Sequence, residues 1–352
     1  MTTSTLSRAV AAEFAPETTY LNTSTCGLLP RRAVAAVKAL VDENADGTRD
    51  GSGDAEAVER AREGFARIAG VPADRVAVGS SVSAHVGLIA ASLPPGAEVL
   101  APEGEFTSVV TPFAARGDLT VRYVPLEGLA GAVRPATALV ALSSVQSADG
   151  RRADLDAVRA AARAHGARTL LDTTQSTGWL PLDNGAWDYT VTAGFKYLLC
   201  PRGASFLTVA PQAQDDLTPV HASWAAAARP GSTYGPVDRL ADDARRFDES
   251  PAYLSYHGAA ESLALLSEIG VAALHDHAVK LADRFRTGVA DLGHPAVPAD
   301  TVVVAVPGLG DRAPALQRAG VMVAGRAGNL RVSFHLYNTD ADVDRALDVL
   351  AG

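Results

Sequence analysis

The sequence predicts an α/β protein, with a mainly parallel, seven-stranded-type sheet in a large domain and a smaller α+β domain at the C-terminus. From residue 75 to 209, seven short apolar segments alternate with helical patterns, as expected of strand–helix units that bury both faces of a sheet. After about residue 240 the pattern changes to long helical stretches with few strands. A chain of 352 residues also exceeds one average domain. The predicted division is an N-terminal segment at 1–20, a large domain at 21–240 and a small domain at 241–352.

Each element has a local reason. Residues 18–30 (TTYLNTSTCGLLP) read as an extended segment ending in a Gly-to-Pro break. Pro30 is suited to opening a helix, and 33–41 carries helical apolar spacing. The polar, glycine-rich stretch 42–54 (DENADGTRDGSGD) reads as a solvated loop, with a mobile active-site rim as the alternative. Helical spacing resumes over 58–68. A strand at 75–78 runs through the turn Gly79-Ser80-Ser81 into an apolar helix at 84–93. Strands follow at 98–101, 120–124 and 138–142. An amphipathic helix at 155–165 leads into a strand at 168–172 that ends in Asp172. Segments 189–192 and 204–209 complete the series. In the small domain, 258–292 is helical in pattern, 301–306 and 330–334 are strands, and 341–350 is a closing helix. Ligands in such sheets bind outside the carboxyl ends of the strands.

Composition excludes several classes. The net charge is −9 with no compensating basic block, which argues against nucleic acid or an anionic membrane as partner. Apolar runs are too short to span a bilayer, and the N-terminal residues lack the long apolar core of a secretory signal. Two cysteines, Cys26 and Cys200, make no disulfide framework, so a reducing cytoplasm is expected. The eight histidines show no compact metal spacing. His275 and His277, two apart on a predicted helix, do not share a face. Cys200, one helical turn beyond Lys196, reads as packed rather than reactive.

The chemistry-bearing stretch is 170–203, LLDTTQSTGWLPLDNGAWDYTVTAGFKYLLCPRG. A buried strand delivers Asp172, a polar turn carries Thr173, Thr174 and Gln175, and Lys196 follows 24 residues after Asp172 in apolar surroundings. A desolvated lysine is more readily neutral, which suits Schiff-base formation with an aldehyde.

This stretch resembles the cofactor-binding core of fold-type I pyridoxal-phosphate enzymes in the class V aminotransferase group. That group includes cysteine desulfurases, kynureninases, isopenicillin N epimerases and ergothioneine-pathway C–S lyases. The resemblance extends from Tyr20-Leu21-Asn22 to Leu330-Arg331-Val332-Ser333-Phe334. It implies pyridoxal 5'-phosphate as cofactor, with Lys196 as the Schiff-base lysine and Asp172 facing the pyridine nitrogen to keep it protonated. Gln175 would bond the phenolic oxygen, and Gln146 with Ser147 would approach the same side. Ser81 and Val82, at a helix start, would bind the phosphate, with Thr192 as a further candidate. Ala193 and Gly194 stand where the group often has a hydroxyl. Phe106 would stack on the ring. Arg331 would hold the substrate α-carboxylate by paired hydrogen bonds, and Arg326 a second one. Segment 246–251 implies a homodimer with shared active sites, in which Ser250 and Trp224 reach the neighbouring subunit's cofactor.

The expected function is therefore a cytoplasmic, homodimeric enzyme acting on a small amino-acid substrate. No cysteine lies between residues 310 and 331, where desulfurases of this group carry their thiol. With Phe106, this favours a β-eliminating lyase of C–S lyase type. An aminotransferase or amino-acid epimerase is the alternative, and a non-catalytic cofactor-binding regulator is another.

Overall fold

The computed structural model describes residues 10–229 and 234–352. After helical residues at 10–13 come a short strand, β1 (Thr19–Tyr20), and helices α1 (Arg31–Asp46) and α2 (Asp54–Ala69). Strand β2 (Val76–Gly79) leads into α3 (Val82–Ser92), and β3 (Glu98–Pro102) into α4 (Thr107–Ala114). Then come β4 (Thr120–Val124), β5 (Thr137–Ser143), α5 (Leu155–His165), β6 (Arg168–Asp172), β7 (Tyr189–Ala193) and β8 (Ser205–Val209). Long helices α6 (Tyr253–Ile269) and α7 (Val271–Asp291) precede β9 (Val303–Pro307) and α8 (Ala313–Arg318). Strands β10 (Val321–Met322), β11 (Ala324–Arg326) and β12 (Asn329–Ser333), with helix α9 (Asp340–Ala351), close the chain. No described helix is long and apolar enough to cross a membrane.

The seven-stranded sheet has the order β2-β8-β7-β6-β5-β3-β4. It is parallel except for β8, which runs antiparallel to both β2 and β7. Strand β5 displays its two-sided burial directly. Leu139 and Ala141 join one apolar cluster, whereas Val140 and Leu142 join another on the opposite face. Helices α2 and α6 pack beside β2 and β8, where Phe65 stacks on Phe206 at 4.3 Å between ring centroids.

The polar stretch 42–54 is shorter as a loop than its composition predicts. Helix α1 continues to Asp46 and ends at Gly47, whose left-handed φ of 70° lets its N–H reach Glu43 O. Asp54 and Glu56 fall in the first turn of α2, where carboxylates oppose the positive helix end. Polar composition therefore did not separate a loop from solvated helix ends. Nor is Cys200 one helical turn from Lys196. The intervening chain is a turn in which Leu199 takes a φ of 55°.

A second, three-stranded antiparallel sheet has the order β11-β12-β9. The N-terminal segment is woven into this region. β1 pairs in parallel with β10, and Asn22 bridges to Ser333 at the end of β12. The chain then crosses toward the large sheet, and Gly27 N–H donates to Phe195 O at 2.8 Å. A Cβ on Gly27 would lie 2.2 Å from Lys196 O, so only glycine permits this crossing. Ser24, Thr25 and Arg331 are thereby brought to the carboxyl ends of β5, β6 and β7.

Candidate active site

Those strand ends border a cavity of about 280 Å³. Of the residues singled out in the sequence, Ser81, Val82, Phe106, Asp172, Gln175, Lys196, Arg326 and Arg331 line it, as does Ser147.

Lys196 follows β7 in a turn and is 7% exposed. Its Nζ lies 5.2 Å from the Phe106 ring centroid and 5.9 Å from that of Phe195. No hydrogen bond or ion pair engages this amine among the described residues. Burial lowers its pKa to about 8, Asp172 opposes that, and Arg331, Arg202 and Arg326 reinforce it. Asp172, the last residue of β6, is buried, and its Oδ1 accepts from Thr174 N–H at 2.8 Å. Burial pushes its carboxyl up to about 6 against the hydrogen bonds from Thr174.

Gln175 Nε2 donates to Ser24 O at 3.1 Å and to Ser147 Oγ at 3.0 Å, which leaves its buried Oε1 without a partner. Ser81 caps α3 by accepting from Ala84 N–H at 3.2 Å, and Val82 begins that helix. The preceding Gly79 is pinned by the buried Tyr256 hydroxyl, which accepts from Gly79 N–H at 2.9 Å. Phe106 stands at the start of α4, 44% exposed, across the cavity from the lysine.

Arg331 on β12 is 2% exposed. Its Nη1 donates to Ser147 O and to Ser147 Oγ, the latter at 3.1 Å, and its Nη2 donates to Thr25 Oγ1 at 2.7 Å. Its Nε has no partner, and burial, with Arg326 nearby, lowers the guanidinium pKa to about 10. Arg326 is exposed and reaches Thr25 Oγ1 at 3.5 Å. Both guanidiniums thus border the same wall, held by neutral oxygens rather than carboxylates.

Four residues singled out in the sequence do not line the cavity. Thr192 is fully buried, its hydroxyl 2.6 Å from that of Thr173, so it turns into the sheet. Gln146 Nε2 donates to Glu105 Oε2 at 2.9 Å behind the cavity wall. Trp224 and Ser250 are exposed and lie away from it. The two cysteines stand outside as well: burial pushes the Cys200 thiol up, and Cys26 is half-buried.

Sequence reading missed Glu105, Ser24, Thr25, Phe195 and Arg202. Glu105 is buried and accepts from Ser143 N–H at 2.8 Å, from Phe106 N–H at 2.7 Å and from Gln146, so it fixes the turn that aims Phe106. Its acidic place in a strand-to-helix turn was the available signal. Thr25 and Ser24 reach the site only through long-range pairing, which has no local sequence mark.

A profile of the family described as Aminotransferase class-V matches residues 19–346. The chain is 31% identical to isopenicillin N epimerase of Streptomyces clavuligerus, over 83% of this chain and 84% of that protein. It is 29% identical to the uncharacterized aminotransferase YcbU of Bacillus subtilis (strain 168), over 84% of each. Among solved structures, C-DES mutant protein with glycine covalently linked to the PLP cofactor superposes with a TM-score of 0.86 at 22% identity, over 95% of this chain and 96% of that one. At that identity the likeness shows the fold, a mostly parallel sheet of the fold-type I kind.

Proposed function

The chain belongs to the class V aminotransferase family, and from that premise we propose that it is a lyase that acts on an amino acid by β-elimination, of C–S lyase type. It is a pyridoxal-phosphate-dependent enzyme. The bound cofactor supplies an electron-withdrawing ring that stabilises charge developing at the substrate Cα.

The cavity's residues fit that group. A desolvated carboxylate (Asp172), an amine free of partners (Lys196), an orphaned amide oxygen (Gln175) and a helix N-terminus (Ser81, Val82) converge on one space. We assign Asp172 to the ring nitrogen, Lys196 to the aldehyde carbon, Gln175 to the phenolic oxygen and Ser81 with Val82 to the phosphate. Phe106 would stack on the ring. Thr192 and Gln146 would then support these contacts from behind.

Arg331 would take the α-carboxylate in two parallel hydrogen bonds, displacing Thr25 and Ser147 from its guanidinium. That orients the Cα–H toward Lys196, which removes the proton. The carrying observation is the solitude of this amine: no histidine, cysteine or tyrosine joins it among the described lining residues. One proton-handling group suits chemistry on a single face, as in elimination, better than exchange between two faces. The lack of a lining thiol also weighs against sulfur transfer through a protein persulfide.

Transamination or epimerisation is the second reading, favoured by the activities for which the relatives are named. Incubation with amino-acid thioethers, followed by mass spectrometry, distinguishes them. Elimination, with one water consumed, yields a 2-keto acid, ammonia and a free thiol with no amino acceptor required. Keto acid formed only with an acceptor, or an inverted amino acid, overturns the lyase reading.

Arg331→Ala should raise KM for carboxylate substrates about 100-fold, because it strips a charge-assisted pair from a buried site. An unchanged KM sinks its assigned role. We further propose a cytoplasmic homodimer in which exposed Trp224 and Ser250 contribute to the partner's site, with Arg326 available to a second substrate carboxylate.

A further inference from the structure

We propose that Arg202 is a phosphate ligand of this site and supplies the guanidinium that balances the cofactor's phosphate charge. The inference rests on strand register, on the need for a cation at this end of the cavity, and on the absence, among the described residues, of a hydrogen-bond or ion-pair partner for Arg202.

Gly79, the last residue of β2, pairs with Ser205, the first of β8, and the two strands are antiparallel. The chain leaving β2 toward Ser81 and Val82 therefore runs beside the chain that enters β8 through Arg202. All three residues line the same cavity. Arg331 and Arg326 instead border the wall formed by Ser147 and Thr25. Arg202 is thus the cation beside the helix N-terminus.

The side-chain donors that line the cavity near α3 are neutral: Ser81 offers a hydroxyl, Ala193 and Phe195 offer none, and the Thr192 hydroxyl is turned to Thr173. The Glu249 carboxylate already accepts from Ser80 N–H at 3.2 Å and from Ser80 Oγ at 2.6 Å. A phosphate dianion on α3 would thus meet hydroxyl donors and a neighbouring carboxylate, with Arg202 the guanidinium on that side. Helix N-terminal amides supply only about half a positive charge.

Arg202 is ready for the task. Its guanidinium carbon lies 3.9 Å from the Phe195 ring centroid, a cation–π contact that holds the group without occupying its N–H donors. Among the described residues it makes no side-chain hydrogen bond or ion pair. A planar fork of donors held beside a helix N-terminus matches phosphate oxygens.

The test compares two ligands that differ only in the phosphate. Holoenzyme is stripped with hydroxylamine and retitrated with pyridoxal phosphate and with pyridoxal. Arg202→Met should raise the dissociation constant for pyridoxal phosphate about 10- to 100-fold, leave that for pyridoxal within about twofold, and be partly rescued by Arg202→Lys. Equal weakening of both ligands would mean a merely structural role. Unchanged cofactor affinity with a raised substrate KM would place Arg202 among substrate contacts. Either result overturns the proposal. Should Arg202→Met fail to fold, phenylglyoxal labelling of stripped wild-type protein answers the same question. Inorganic phosphate should protect Arg202 and leave Arg326 reactive, and equal labelling of Arg202 with and without phosphate contradicts the assignment.

Discussion

Lys196→Ala lowers kcat by about 10³-fold or more and removes the visible absorption that the cofactor gains when held by an amine. The effect is large because one side chain has two tasks, anchoring the cofactor and moving the Cα proton. Both need an amine that is neutral part of the time, and burial provides this by lowering the Lys196 pKa to about 8 from the ordinary 10.5. An exposed lysine has about one neutral molecule in a thousand at pH 7.5, whereas Lys196 has roughly one in four. The variant should remain folded. Removing a base whose folded pKa is depressed also removes a stability cost that grows as pH falls from 10.5 toward 8. Circular dichroism and urea unfolding check the fold, while single-turnover kinetics check the loss. Retention of a tenth of wild-type turnover would remove Lys196 from the chemistry.

Asp172→Asn should lower kcat by about 10²- to 10³-fold while leaving cofactor capture by Lys196 intact. The substitution keeps the shape at the end of β6 but removes the negative charge assigned to the ring nitrogen. Without cofactor, the same change acts on stability in the opposite direction. Burial raises the Asp172 pKa to about 6 from 3.8, so it is the ionised form that the fold penalises. The wild-type contribution is fully present below pH 3.8 and is lost as pH rises through about 6. Relative to wild type, the stripped Asp172→Asn protein should therefore gain about 2–3 kcal/mol between pH 4 and pH 7.5. Urea unfolding at the two pH values measures it, and a pH-independent difference would contradict the desolvation account. A site residue that destabilises its own empty fold is expected where function, rather than packing, has set the residue.

What could be read from the sequence follows from which signals are local. Asp172, Gln175 and Lys196 were legible because one stretch carries them, with a strand before and a turn after. Arg331 was legible from the C-terminal segment it resembles. Strand positions were also clear where an apolar run such as 138–142 lies between polar residues, here Thr137 and Ser143. Strand order was not. Nothing in the periodicity of 205–209 reveals that β8 inserts antiparallel between β2 and β7, yet that insertion pairs Ser205 with Gly79. Helix α4 escaped notice because Pro112 and β-branched residues disguise an eight-residue helix. Thr25 reaches Arg331 across 306 residues of sequence, through the pairing of β1 with β10. Thr192 misled because a hydroxyl in a strand can face either side, and here the pleat turns it toward Thr173.

The central claim, that Lys196 holds the cofactor, has an unusually clean test because the chain contains three lysines. Lys38 and Lys280 are exposed on α1 and α7, whereas Lys196 is buried in the cavity. Borohydride reduction of the cofactor-loaded protein, followed by digestion and peptide mass spectrometry, fixes the cofactor on whichever amine holds it. One pyridoxyl group per chain, confined to the peptide bearing Lys196, is the predicted result. Labelling at Lys38 or Lys280 in its place, or a Lys196 peptide recovered unmodified from protein that has kept its cofactor, would contradict it.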